Sequence, residues 1–213
     1  MTPSPDLASL LAHELEPPLL ALEMRLRALI ETGRCRGAAE SCLVEVAAIR
    51  SILRDLHLLG ENEVEVRAFP LAPVLGALAR GFGPIARSRG IAIEISPSPD
   101  GVEVEGDPRA TERVLSNLLD NAVKFSPDGK EIRVGARRSE GMILIEVEDR
   151  GIGIAGADHE RIFEPFVRLD REKPGSGLGL AIARSLAEAQ GGKLTVASAP
   201  GRGSCFVLAL RPA

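Results

Sequence analysis

Hydrophobic positions in the first quarter of the chain recur at helical spacing. Leu15, Leu19, Leu22, Leu26 and Leu29 follow one another at steps of four and three, and so do Cys42, Val46, Ile49, Leu53 and Leu56. The interruption between them is Gly33-Arg34-Cys35-Arg36-Gly37. This pattern predicts a helix, a short turn and a second helix, each with a narrow apolar seam of the kind that packs in coiled-coil-like bundles. A lone hairpin buries two such seams with little margin. A second copy would complete a four-helix bundle, so the expectation is a symmetric homodimer.

Beyond Gly60 the period changes. Short alternating runs such as Val64-Glu65-Val66 and Ile91 to Ile95 read as strands, and Ile132 to Arg137 with Met142 to Glu148 reads as a hairpin around Ser139-Glu140-Gly141. Pro73 to Arg89, Arg109 to Phe125 and Leu178 to Gln190 read as helices, with further strands near Lys193 to Ala197 and Cys205 to Leu210. Asp107-Pro108 supplies an N-cap and a first-turn proline for the second of these helices. The expected class is α+β: a two-helix hairpin over 1–62, then an α/β sandwich over 63–213 with helices on one face of a mixed sheet.

Composition narrows the partners. The chain has 213 residues, 26 basic against 30 acidic, with no Trp or Tyr. An acidic chain without large stacking rings is not expected to bind nucleic acid. No apolar run approaches the ~18–20 residues of a membrane helix, so no direct membrane insertion is expected. Met1 to Asp6 lacks the basic start and apolar core of a signal peptide. Cys35, Cys42 and Cys205 have no metal-ligand spacing and read as reduced thiols of a cytoplasmic protein, Cys42 and Cys205 packed.

His13 lies two residues from both Leu11 and Leu15, so on a helix it points away from the side those leucines bury. The stretch His13-Glu14-Leu15-Glu16-Pro17-Pro18-Leu19 resembles the phosphoacceptor box of sensor histidine kinases, typically His-Glu-Leu-Arg-Thr-Pro-Leu. A neutral imidazole is nucleophilic near pH 7 and can accept a phosphoryl group. The resemblance makes His13 the acceptor and Glu14 the residue that orients its ring and receives its proton. Proline removes a helical hydrogen bond, so Pro17-Pro18 is expected to bend the helix there. Two positions depart from the box: Glu16 replaces a basic residue and Pro17 replaces Thr. Family members that dephosphorylate their partner use a polar side chain at the latter position to hold water. Proline has none, which implies weak or absent phosphatase activity.

The second region carries four further segments. Asn117, Asn121 and Lys124 fall at i, i+4 and i+7 on one helix face, a stripe able to hold a metal and phosphates or to be a solvated surface. Asp149-Arg150-Gly151-Ile152-Gly153 follows an apolar strand, Gly175-Ser176-Gly177-Leu178-Gly179-Leu180 opens a helix, and Gly201-Arg202-Gly203-Ser204 precedes the last strand. Glycines admit a ligand close to the backbone, and a helix N-terminus offers unpaired N–H groups to phosphate. Gly192-Lys193 is followed by Leu194, which is no Walker loop, and Gly151 and Gly153 lead into an irregular stretch that is no Rossmann fingerprint. That stretch, Ile154 to Pro174, is long enough to be a mobile lid.

Together these segments resemble the ATPase domain shared by histidine kinases, DNA gyrases and their relatives, in the histidine kinase order. The resemblance implies that 1–62 is the dimerisation and phosphoacceptor domain and 63–213 the ATP-binding catalytic domain. It implies ATP and Mg2+ as cofactors, with Asn121 on the metal and Asn117 supporting it. Lys124 would reach the phosphates, Phe125 would stand near the adenine, and Asp149 would accept the adenine amine. Gly151 and Gly153 would line the base pocket. Gly175, Gly177, Leu178, Gly179 and Leu180 would wrap the triphosphate, and Arg168 is a candidate for the γ-phosphate. Ile162-Phe163-Glu164-Pro165-Phe166 matches the family's lid segment, whose main work here is anchoring. The implied partners are a second copy and the receiver domain of a response regulator, with any sensor domain separate or missing. Two rivals are a scaffold with a dead ATPase fold and a gyrase-like machine. The first is disfavoured by the intact asparagine and glycines. The second would need a transducer domain after the ATPase.

Overall fold

The protein is described by a computed structural model covering residues 5–31, 37–40, 42–43, 46, 49, 53, 64–96, 101–170, 173 and 176–213, with side chains of the first helix from Leu15 onward. The chain divides into two compact units, Met1–Asn62 and Glu63–Ala213.

In the first unit helix α1 spans Pro5–Glu31 and continues through Pro17 and Pro18. The backbone is helical again at 37–40, 42–43, 46, 49 and 53, while the turn at 33–36 and Leu56 lie outside the described residues. Leu26, Ala39 and Val46 form a buried cluster, with Leu19, Ile30 and Leu43 packed against it. The single predicted seam of α1 therefore divides. Leu19 and Leu26, seven residues apart, face the cluster, whereas Leu15, Leu22 and Leu29, also seven apart, stay exposed, as does Ile49. Ala39, Leu43 and Val46 cover the Leu19–Leu26 set and leave the other set uncovered. Cys42, expected to be packed, is exposed, while Cys205 is half-buried.

Among the described residues, the second unit is a seven-stranded mixed sheet with three α-helices. Its elements are β1 (Arg67–Pro70), α2 (Leu71–Ser88), β2 (Ala92–Ile95), β3 (Glu103–Gly106), α3 (Pro108–Phe125), β4 (Glu131–Ser139), β5 (Met142–Asp149), α4 (Gly179–Ala189), β6 (Lys193–Ser198) and β7 (Ser204–Pro212). The strand order is β1-β3-β7-β5-β4-β2, and β6 also pairs with β7. β2 runs parallel to β4 and all other pairs are antiparallel. β7 is long enough to serve two neighbours on one edge: Ser204 to Ala209 pair with β6, and Arg211 and Pro212 with β3.

Alternation places every second residue of the central strands against the helices. Ile145, Leu208 and Leu194 form one row across β5, β7 and β6, and Val147, Phe206 and Val196 the next. The opposite face carries charges, among them the Arg137–Glu146 pair at 2.9 Å. α3 buries Val114, Leu115, Leu118 and Leu119 completely, each contributing roughly 1.5–3 kcal/mol of burial, so packing fixes this helix more than propensity does. Its start is capped as the sequence predicts: Asp107 accepts hydrogen bonds from the N–H groups of Arg109 (2.7 Å) and Ala110 (3.2 Å), with Pro108 in the first turn.

The expected strand at Val64 to Val66 is absent; the first strand is Arg67–Pro70, and Glu65 instead donates its N–H to Asp107 at 3.0 Å. β3, which the pattern did not reveal, is four residues long and rich in acidic residues, too short for a period-2 signal to stand out.

Candidate nucleotide site

The four segments converge at the loop end of β5 and β7. On α3, Asn117, Asn121 and Lys124 are half-buried. Asn117 donates through Nδ2 to the carbonyl of Gly179 at 2.9 Å, which ties this face of α3 to the opening residue of α4. Among the described residues no side chain caps the α4 N-terminus, so its first N–H groups remain free to donate to a ligand. Leu178 is fully buried in the core and offers a ligand only backbone, and its N–H already meets Ser176 Oγ at 3.2 Å. Leu180 is half-buried in the first turn of α4.

Lys124 stands over the Phe125 ring, 5.0 Å from its centroid. Burial lowers its pKa, and nearby Arg168 and Lys173 lower it further, against the raising influence of Asp120 and Asp170. Arg168, Asp170 and Lys173, from the irregular stretch after β5, therefore lie near the end of α3. Arg168 donates through Nη2 to the Lys173 carbonyl at 2.6 Å.

The irregular stretch after β5, expected to be a lid, is packed at residues 160–163. Ile162 and Phe163 are buried, and the Phe163 ring meets Phe206 edge-on at 6.4 Å. Arg184 of α4 stacks on Phe163 at 3.9 Å and pairs with Glu160 at 2.9 Å. Phe166 is exposed and holds a positive φ of 65°, its N–H donating to the Gly177 carbonyl at 3.0 Å. Gly177 is constrained in turn: a Cβ there would stand 2.8 Å from the Phe166 carbonyl carbon, on a φ of 76°.

Asp149 ends β5 and is buried. Its Oδ1 accepts from the Gly151 N–H at 2.7 Å. Burial raises its pKa; bonds from the Gly151 and Ser204 backbones and the Ser204 hydroxyl offset part of this, and Glu148 adds to it. Gly151 must be glycine, because a Cβ would stand 2.6 Å from the Phe125 carbonyl oxygen. The α3 C-terminus, carrying Phe125, thus closes on the β5 loop. Arg89 holds it there, donating to the carbonyls of Val123 and of Ser126 (3.1 Å) and pairing with Asp128 at 2.8 Å. On the other side Gly153 lies beside Ala199. Gly201 donates its N–H to the Ile152 carbonyl at 2.7 Å, so the β6–β7 turn packs on the same loop.

Of the residues singled out from sequence, Asn117, Asn121, Lys124, Phe125, Asp149, Gly151, Gly153, Arg168, Gly177 and Gly179 all lie on these segments. Gly175 falls outside the described residues, and for His13 and Glu14 only the helical backbone is described. Because proline has no N–H, Pro17 and Pro18 leave the carbonyls of His13 and Glu14 without their helical donors. Sequence reasoning missed Arg89, Arg184 and Ser198, and gave Ser204 only as the end of a glycine-rich segment. For Ser204 a signal existed, since it continues the alternation of Phe206, Leu208 and Leu210. For the arginines only the tertiary pairing reveals a role.

The sequence profile of the "Histidine kinase-, DNA gyrase B-, and HSP90-like ATPase" family matches residues 106–213. The alginate biosynthesis sensor protein KinB of Pseudomonas aeruginosa is 30% identical over 210 residues, covering 93% of this chain and 35% of that protein. The sensor-like histidine kinase SenX3 of Mycolicibacterium smegmatis is 31% identical over 218 residues, covering 96% of this chain and 56% of that protein. The chain thus spans between about a third and just over a half of the length of these curated relatives. Among solved structures, full-length ShkA in complex with AMPPNP matches with a TM-score of 0.86 at 27% identity, over 99% of this chain and 46% of that one. The mycobacterial sensor histidine kinase MprB matches with a TM-score of 0.60 at 30% identity, over 70% of this chain and 100% of that one. The chain therefore belongs to the histidine kinase-, DNA gyrase B- and HSP90-like ATPase family and is a histidine kinase catalytic core, homologous to sensor histidine kinases over nearly its full length.

Proposed function

We propose that this chain binds ATP with Mg2+ in its second unit, transfers the γ-phosphoryl group to His13, and passes it to an aspartate of a response-regulator receiver domain. The observation that carries the reading is the bond from Asn117 to Gly179, which sets an amide-and-ammonium stripe beside an uncapped helix N-terminus. Negative charge is favoured at such an end, and Lys124 adds a cation on the same face. The ShkA structure holds AMPPNP, an ATP analogue, on a related fold.

The residues fit Mg2+. The Asn121 amide oxygen is a hard neutral donor, and among the described residues no cluster of three His, Cys, Asp or Glu could hold a metal. Such an ion would take one ligand from the chain and the others from phosphate and water, a common arrangement for Mg2+. When bound, it would neutralise charge spreading over the phosphoryl oxygens.

The chain's own residues have assignable parts. Asp149 accepts the adenine amine through its carboxylate; a keto group there would leave the carboxylate unpaired, which selects against guanine. The α4 N-terminus and Lys124 hold phosphate charge, and Arg168 reaches the γ-phosphate when the lid closes. The His13 imidazole attacks phosphorus in line as the bond to the β–γ bridging oxygen breaks and ADP leaves. Its other ring proton passes to Glu14. Pro17 offers no donor or acceptor to an attacking water, so phosphatase activity is weak or absent. The exposed heptad of Leu15, Leu22 and Leu29 supports a homodimer, whose second hairpin would cover it. No helix among the described residues is long and apolar enough to cross a membrane.

The test is incubation with γ-labelled ATP and Mg2+. The expected result is an acid-labile protein label that both His13→Gln and Asn121→Ala remove. ATP hydrolysis without label would point to a gyrase-like machine, and no label with no hydrolysis to a dead scaffold.

A further inference from the structure

The helix-facing rows of the sheet change character at their last step. Across β5, β7 and β6 the rows Ile145–Leu208–Leu194 and Val147–Phe206–Val196 are apolar, and the third is Asp149–Ser204–Ser198. Three polar side chains in register at the end of an apolar face need partners, since a buried polar group left unsatisfied is costly. Asp149 and Ser198 find them in the loops that leave the sheet at this end, and Ser204 finds them in its two neighbours of the row.

Ser198 has the widest reach. Its hydroxyl accepts from the N–H of Ile154, where the lid begins, at 2.8 Å. It stands 2.7 Å from the Gly203 carbonyl and 3.1 Å from Ser204 Oγ, and can donate to either. Ser204 in turn bonds Asp149 through both its backbone and its hydroxyl. A hydroxyl carries one hydrogen, so the pair can run from Ser198 to Ser204 to the Asp149 carboxylate, a chain whose members strengthen one another. One side chain therefore touches the lid's first residue, the β6–β7 turn and the hydroxyl that holds Asp149.

We propose that Ser198 is a positioning residue for base selection, coupling the start of the lid to the carboxylate that reads the base. This rests on the nucleotide reading above. Ser198 does not touch the base; it fixes where Ser204 directs its hydroxyl and where Ile154 leaves the sheet. Removing it frees Asp149 to turn and loosens the lid base, weakening the interaction that only an adenine amine makes.

Binding of non-hydrolysable ATP and GTP analogues is measured by calorimetry for the unaltered protein and for S198A, S204A, S198A/S204A and S198T. The expected result is that S198A weakens the ATP analogue by about tenfold and the GTP analogue by less than about twofold. The double variant is then no weaker than S204A by more than about twofold, because the two residues act in one chain. S198T, which keeps the hydroxyl, restores the preference. Equal losses for both analogues, a double variant equal to the product of the singles, or an S198T as poor as S198A would each overturn the proposal. An unaltered protein that binds neither analogue would instead overturn the nucleotide reading itself.

Discussion

Burial pushes the Asp149 carboxyl above the ordinary carboxylate range, and the Gly151 and Ser204 N–H groups pull it back only in part. The two consequences have opposite signs. A group whose folded pKa is raised penalises the fold while charged, so acidification through that pKa relieves the fold at this site. The base recognition proposed for Asp149 needs the charged form. Affinity for ATP is therefore predicted to fall as pH drops through a value above the ordinary ~3.9 of aspartate, while this group adds nothing to acid unfolding. Asp149→Asn should weaken ATP binding by ~10–100-fold and leave the melting temperature unchanged or raised, as paired calorimetric and thermal titrations would reveal. Sequence singled it out through the segment Asp149-Arg150-Gly151-Ile152-Gly153, where an aspartate ahead of two glycines closes a strand. Arg89 was not conspicuous. Besides Asp128, its partners are the carbonyls of Val123 and Ser126, and nothing in those residues' side chains announces a bond to the backbone.

At the scale of elements, caps and periods were legible where the physics is local. Asp107-Pro108 announced α3, and the structure places the bonds where the cap requires them. Burial raises the Asp107 pKa, but the N–H groups of Glu65, Ala110 and Arg109 more than offset this and the net direction is down. Stabilisation from a lowered carboxyl is present above its unfolded value and lost as pH falls through the folded one. Asp107→Ala should destabilise the second unit by about 1 kcal/mol and flatten its stability in the acid range below the ordinary aspartate value, measured by denaturant unfolding. Illegible were the elements set by pairing alone. β3 owes its existence to backbone bonds with β1 and β7, and residues 64–66 alternate like a strand yet find no partner strand.

For the whole molecule, the divided seam of α1 makes the strongest statement about assembly. Leu22 is 45% exposed at the middle of the Leu15–Leu22–Leu29 heptad. Leu22→Glu is predicted to shift the mass measured by light scattering from dimer to monomer, without changing nucleotide affinity in the second unit. Sequence revealed both the seam and the break between units, because a change of hydrophobic period survives without any contact information. It could not divide the seam into covered and uncovered halves, since that depends on which helix lies beside it. The central claim concerns a single bond, from phosphorus to the imidazole of His13. Phosphorus NMR of the intact protein after incubation with Mg2+ and ATP tests it most directly. The account predicts a new phosphoramidate resonance that vanishes on acidification and never forms in His13→Gln. A phosphoramidate signal that persists in that variant, or its absence from the unaltered protein under conditions where ATP is bound, would contradict it.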